Sequence, residues 1–286
     1  MSNPDPSTDD AYSKWAGRTE SAADVIAPAV IDRLWATLDR KDPPPGPGHP
    51  LPPLAHWLFF LAAAPQSQLG ADGHERRGRF LPPIALPRRM WAGSRIEHHR
   101  AIKIGENAER RTTIRKVAPK AGRTGPLVFV TLHHEIMDSA GVAIEETQDI
   151  VYRGPVSASA PLLPPGPEEE PEFSREVTAD AVMLFRYSAL TFNGHKIHYD
   201  RDYATGKEGY AGLVVHGPLI AALLVDLLDR SLPGFRPSRI DVRAISPLFD
   251  RTPFHLHGLS SGPNQARLWA CNPDGRLAMK VAVDAE

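Results

Sequence analysis

Residues Leu213 to Leu228 read LVVHGPLIAALLVDLL, and the fold is read outward from this run. A helix lying at a surface carries one apolar stripe, so a run that is apolar on nearly every face predicts a helix buried in the wrap of a sheet. Gly217 and Pro218 stand at its start, where proline is tolerated and the backbone amides have no helical partner. Those first-turn N–H groups carry the positive end of the helix dipole and suit a carbonyl oxygen that gains charge during a reaction. Gly217, lacking a side chain, would let such an oxygen approach closely. Any buried helix with proline in its first turn would look the same, so the motif alone is weak.

The preceding stretch is denser in chemistry. Thr191 to Asp202 reads TFNGHKIHYDRD and places Asn193, His195, His198, Asp200 and Asp202 in one short segment. Loops are polar in general, so composition alone gives this stretch no function. Around it the second half predicts a strand at Ala181 to Ser188, an irregular stretch from Thr191 to Tyr210, and the buried helix. Strands follow at Ser238 to Ile245, His255 to Leu259, Gln265 to Asn272 and Arg276 to Val283, with NPDG at Asn272 to Gly275 as a hairpin turn.

The first half repeats the order. A helix is expected at Ala27 to Leu38, capped by Asp24, with Ile26, Val30, Ile31, Leu34 and Leu38 at helical spacing. Strands are expected at Ser94 to Ile102, Glu109 to Val117, Leu127 to Met137 and Ala143 to Tyr152. GPVSASAPLLPPGPEEEP, from Gly154 to Pro171, contains six prolines and marks the boundary between the halves. The shorter DPPPGPGHPLPP at Asp42 to Pro53 reads as a loop within the first. Residues 1–154, a linker at 155–174 and residues 175–286 are the expected divisions. Helix then antiparallel strands, twice over, is an α+β arrangement with helices on one face of a sheet.

The bulk numbers exclude several classes. The chain has 286 residues, with 33 Lys and Arg against 34 Asp and Glu, so no general attraction to nucleic acid or to an anionic membrane follows. Its single cysteine, Cys271, leaves no intramolecular disulfide and points to a reducing, cytoplasmic setting. MSNPDPSTDDAY at the start is acidic and polar, unlike a secretory signal. The most apolar stretch, LAHWLFFLAAA at Leu54 to Ala64, is about half of a membrane span and reads as core. No dinucleotide or phosphate loop is present, and no cofactor is expected. Among the 12 histidines, His98 and His99 point to opposite strand faces, as do His133 and His134. His255 and His257 share a face without a third ligand, so no metal is expected.

Together the two chemical stretches resemble the MaoC-like hydratases and dehydratases of the hot-dog fold, in which an acid/base pair spaced five apart precedes a helix opening with His-Gly. Thr191, Phe192, Asn193, Ile197, His198, His216 and Gly217 occupy the matching positions. The likeness is closer to the branch holding mesaconyl-C4-CoA (3-methylfumaryl-CoA) hydratase, itaconyl-CoA hydratase and mitochondrial 3-hydroxyacyl-thioester dehydratase. It is carried by WAGRTE at Trp15, RRMWAGSRIEHH at Arg88, QDIVYR at Gln148, FRYSALTFNGHKIHYD at Phe185 and HGPLIAALLVDLL at His216. The resemblance implies a double hot-dog, two curved antiparallel sheets each around a central helix, packed as a pseudo-dimer. Only the second half would keep the catalytic loop. The first would shape the acyl pocket, with its own helix near Trp57 to Ala64 or at Ala27 to Leu38.

The resemblance further implies a hydro-lyase that adds water to an enoyl-CoA, with the CoA thioester as substrate and the protein a monomer or homodimer. The wider family has aspartate where this chain has Asn193, and an amide cannot take a proton at neutral pH. His198, with a pKa near neutrality, would then be the sole general acid/base, using a water held by the Asn193 carbonyl. Gly217 would hold the thioester oxygen, while His216 and Tyr210 line the pocket. Asp200 is a candidate to orient His198. Arg88 or Arg89 could pair with a substrate carboxylate, and Arg186 and Arg201 could meet a carboxylate or a CoA phosphate. The competing readings are a general 3-hydroxyacyl-thioester dehydratase of fatty-acid type, a hot-dog thioesterase, and a noncatalytic binding subunit.

Overall fold

The computed structural model describes residues 12–122, 125–154 and 163–285. Ten strands form one antiparallel sheet: β1 (Thr19–Val25), β2 (Arg88–His98), β3 (Asn107–Gly122), β4 (Gly125–Asp138), β5 (Gly141–Arg153), β6 (Phe173–Thr178), β7 (Pro237–Ala244), β8 (Pro253–Gly262), β9 (Gln265–Cys271) and β10 (Leu277–Ala285). Their spatial order is β1-β3-β4-β5-β2-β7-β10-β9-β8-β6. Outward from the central β2–β7 pair, the strands of the two halves follow the same order, which is the duplication that the element order suggested. At the seam Ile96 faces Ile240, both fully buried. Gly93 has no alternative there, because a Cβ would lie 2.1 Å from the Val242 carbonyl oxygen.

Among the described residues three α-helices accompany the sheet: α1 (Pro28–Thr37), α2 (Ala181–Leu190) and α3 (Gly217–Ser231). The apolar run yields α3, which packs against β8, β9 and β10 with both flanks of its middle turns buried, from Leu223 to Leu228. It starts at Gly217 rather than Leu213; residues 213–215 are extended, with Val214 bridged to Phe249. Asp226, inside this helix, is surrounded by Arg40, Arg175 and Arg230 at 2.8–3.0 Å, which satisfies a carboxylate that would otherwise be costly to bury.

Four expectations are corrected. Ala181 to Ser188 is helix α2, not strand: Asp180 caps it by accepting the Met183 N–H at 2.8 Å, and Leu184, Tyr187 and Leu190 bury one helical face. Asp24 does not cap α1; its carboxylate accepts the N–H groups of Val25 and Phe60, and Ala27 stands at the N-cap without a side-chain bond. Of the two candidate helices in the first half, only α1 forms, and it packs against α2 of the second half. Leu54 to Phe60 is instead a buried crossing segment with one 3-10 turn at Ala55–Leu58. The expected linker reaches into β6, which begins at Phe173, and residues 155–162 of it lie outside the described ones.

The consequence for function is asymmetry. The second half covers its inner sheet face with a fifteen-residue helix. In the first half the inner face of β2, β4 and β5 keeps polar residues turned toward a cavity of about 1450 Å3 that is lined from both halves. Among the described residues no helix is long and apolar enough to cross a membrane.

Candidate active site

Helix α2 delivers the loop. The Thr191 hydroxyl donates to the Tyr187 carbonyl at 2.7 Å, and Phe192 turns the chain with a positive φ of 49°. Asn193 then donates its N–H to Ser188 O at 2.8 Å, while its Oδ1 accepts the His195 N–H at 3.0 Å. A 3-10 turn at Lys196–His198 follows. Val214, just before α3, fixes this turn twice, donating its N–H to Ile197 O at 2.9 Å and accepting from His198 Nδ1 at 2.7 Å.

That last contact sets the tautomer. A carbonyl can only accept, so Nδ1 carries the proton and Nε2 of His198 is left as a base. Asp200 does not orient the imidazole: its carboxylate accepts the Tyr203 N–H at 3.0 Å and lies near Lys196. The backbone of an extended segment performs the task expected of a side chain.

His216 is the N-cap residue of α3 and its ring stacks on His198 with centroids 3.6 Å apart. Its Nε2 lies 2.9 Å from the Ser188 hydroxyl. Gly217 is required for a reason besides ligand approach, since a Cβ there would be 2.7 Å from the Trp91 ring. Tyr210 lines the same cavity beneath the Arg88 guanidinium, 5.1 Å from its ring. Asn193, His198, His216, Gly217 and Tyr210 thus all border one space.

The first half reaches into this loop. A tight turn at 70–75 presses its tip on the 193–198 segment: Lys196 donates its N–H to Asp72 O at 2.9 Å. Gly73, at φ +88°, sits so close that a Cβ would lie 1.9 Å from Gly194 O. His74 lies with its ring 4.0 Å from that of His195, and its Nδ1 is 3.2 Å from Asp72. His195 in turn meets His198 edge-on at 5.6 Å, so four imidazoles form a column from His74 to His216.

Burial depresses these imidazoles. It pushes His198 down to about 4, with the Val214 bond opposing and the charge of His74 adding to the effect. The expectation of a value near neutrality is therefore corrected: the ring stays unprotonated throughout the ordinary pH range. Burial also pushes His195 down to about 2 and His216 well below its usual value. Burial would raise Asp72, but the hydrogen bond and charge of His74 hold it low.

The arginines separate. Arg88 is committed to Glu208 at 2.9 Å, and Arg201 is paired with Asp250. Arg186 is exposed, with a long contact to Ala36 O. Arg89 lines the cavity and makes no ion pair among the described residues.

Sequence reading missed His74 and Asp72, which arrive from a distant glycine-rich turn. It also missed a buried polar network in the first half. Glu146 accepts from His56 Nε2 at 3.1 Å, Trp57 Nε1 at 3.0 Å and Ser94 Oγ at 2.5 Å, and Ser94 also meets Trp91 Nε1. Burial would raise Glu146, but these donors and the His56 charge hold it at about 2. The signal lay in strand alternation, which turns Glu146 and its cross-strand partner His134 inward together. His133 faces the other way, toward Glu145 at 3.5 Å.

The hydroxyacyl-thioester dehydratase type 2 family model matches residues 54–250, more than half of the chain. The chain belongs to that family. This member is 47% identical over 278 residues to mesaconyl-C(4)-CoA hydratase of Chloroflexus aurantiacus, covering 94% of the chain and 96% of the relative. Its fold matches a MaoC-like dehydratase from Phytophthora capsici, with a TM-score of 0.69 at 15% identity over 94% of this chain and 95% of that one. A Mycobacterium tuberculosis protein described as having a double hotdog fold superposes with a TM-score of 0.58 at 12% identity, over 94% and 96% of the two chains. The dehydratase-family chain is accordingly a double hot-dog, as its mirrored strand order requires.

Proposed function

We propose that the protein is a hydro-lyase that reversibly adds water to an enoyl-CoA, converting mesaconyl-C4-CoA to citramalyl-CoA, with itaconyl-CoA as the related substrate. The observation that carries the chemistry is the Val214 carbonyl on His198 Nδ1, which leaves Nε2 as a base at the cavity wall. The 47% identical relative supports the substrate.

In this reading a thioester oxygen lies at the Gly217 N–H, at the start of α3, where enolate charge is stabilised as it develops. His198 Nε2 takes a proton from a water while the water oxygen bonds to Cβ. The same nitrogen returns the proton to Cα, so no net charge is left on the protein. Asn193 Oδ1 already accepts the His195 N–H, so the Nδ2 amide is the part that holds the water, as a donor. This revises the role expected of the Asn193 carbonyl. His216 supports the His198 ring by stacking, and Tyr210 walls the cavity. The buried Cys271 fits a reducing, cytoplasmic setting.

A general 3-hydroxyacyl-thioester dehydratase is the second reading, favoured by the family description and by a cavity roomy enough for a longer chain. The deciding measurement is loss of enoyl absorbance with mesaconyl-C4-CoA, itaconyl-CoA and crotonyl-CoA, beside His198→Ala. Hydration of mesaconyl-C4-CoA that falls by at least about 1000-fold in the variant is expected. Release of free thiol without hydration, or undiminished activity in the variant, overturns the proposal.

A further inference from the structure

Two of the four imidazoles in the column have no part in the proton transfer. His198 is held by Val214 and His216 by Ser188, but the ring nitrogens of His195 make no hydrogen bond among the described residues. Beside them stands Arg89, on the inner face of β2 opposite Tyr152, whose hydroxyl it approaches. Its charge acts on both His74 and His195, and all three line the cavity. A guanidinium that borders the same cavity as His198 and makes no ion pair among the described residues is an unfinished pair.

The chemistry of the substrate says what completes it. In a C4 thioester of mesaconate the free carboxylate is bonded to the carbon that receives water. A group that pairs with this carboxylate must therefore lie in the shell directly around His198. His195, 5.6 Å from His198, is in that shell, and Arg89 lines the same cavity with its charge reaching His195. We propose that Arg89 and His195 are the seat for the free carboxylate on Cβ of a branched dicarboxylyl thioester. His74, turned by Asp72, is a positioning residue that backs the His195 ring. The inference rests on the function proposed above and names the residues that set its specificity.

Asp72, His74 and His195 also bring three donor atoms within 4.8 Å of one another, as two histidines and a carboxylate do at many metal centres. The Arg89 charge opposes a cation there, while the Asp72 carboxylate favours one, so the cluster is not purely a cation site. With the thioester oxygen at Gly217 and the carboxylate at Arg89, the enoyl group is anchored at both ends and its Cβ is presented to His198. A neutral Cβ substituent would leave Arg89 desolvated and unpaired, which is the more costly state.

The test compares kcat/KM for mesaconyl-C4-CoA and crotonyl-CoA in the wild type, Arg89→Met and His195→Gln. It adds competitive inhibition by succinyl-CoA, which carries a carboxylate on the same carbon, against butyryl-CoA, which does not. The mesaconyl-to-crotonyl ratio is expected to fall by about 100-fold in Arg89→Met and about 10-fold in His195→Gln. Wild type should bind succinyl-CoA at least about 10-fold tighter than butyryl-CoA, a comparison that needs no variant to fold. Equal losses on both substrates, or equal inhibition by the two saturated thioesters, overturn the seat while leaving the hydratase reading intact. A wild type that does not hydrate mesaconyl-C4-CoA brings down that reading and the seat with it.

Discussion

Lowering the pH from about 8 to about 5.5 should remove a large part of this protein's stability, well above the range where carboxylates titrate. His134, His198 and His216 are all buried, at 6%, 7% and 2% exposure, and burial depresses each of them, His134 and His198 to about 4. The unfolded chain, with imidazoles near 6.5, takes up protons that the folded chain refuses, so stability is full above about pH 7.5 and is lost as pH falls through 6.5 toward 4. At about pH 5.5 an unfolded imidazole is protonated roughly ten to one, and each ring kept neutral by the fold then costs about 1.4 kcal/mol. The three together cost about 4 kcal/mol, against a total of about 5–15 kcal/mol for an ordinary domain. Urea unfolding followed by tryptophan fluorescence at several pH values measures the loss. His134→Gln should flatten the pH dependence by about 1.4 kcal/mol. A wild-type change below about 1 kcal/mol between pH 8 and 5.5 would show that the folded protein accepts these protons and would refute the argument.

Other substitutions probe the site's supports. Gly217→Ala pushes a methyl against Trp91, which is pinned by Ser94 at 3.2 Å and by the Trp57 ring at 5.8 Å. It should destabilise by about 1–3 kcal/mol and slow hydration about 100-fold, read by melting temperature and kcat. Glu146→Gln places amide hydrogens among donors from His56, Trp57 and Ser94, with an expected loss of about 2–3 kcal/mol in urea unfolding. Gly73→Ala drives the turn off the Gly194 carbonyl. It should lower kcat by about 10-fold or more with a melting temperature close to the wild type, because the strain falls on a loop.

The sequence made the interior of this fold legible and hid its margins. The strands on either side of the seam announce themselves by alternation, and α3 by the absence of any polar face. Both overlooked strands, β1 and β6, are the edges of the sheet, where one side pairs with no strand among the described residues and polar sequences such as TESAADV and FSREVT suffice. Helix α2 was obscured because AVMLFRYSAL is apolar at strand and helix spacing alike; the Asp180 cap distinguishes them. That Asn193, His198, His216 and Gly217 would meet at one cavity was legible because one loop and the helix it leads to carry them all. The orientation of His198 was not, because it depends on a backbone carbonyl, and neither was the turn bearing His74, because only tertiary contact brings it there.

The turn at 70–75 belongs to one half of the chain and rests on the loop of the other. Here Gly73 against Gly194 and Asp72 against Lys196 tie the two lineages together at the backbone. A recombinant that took its first half from a distant relative could keep the whole acid/base motif and still misplace it. For this enzyme the unit of inheritance is the pair of contacts, and crossovers should survive only where both loops descend from one parent.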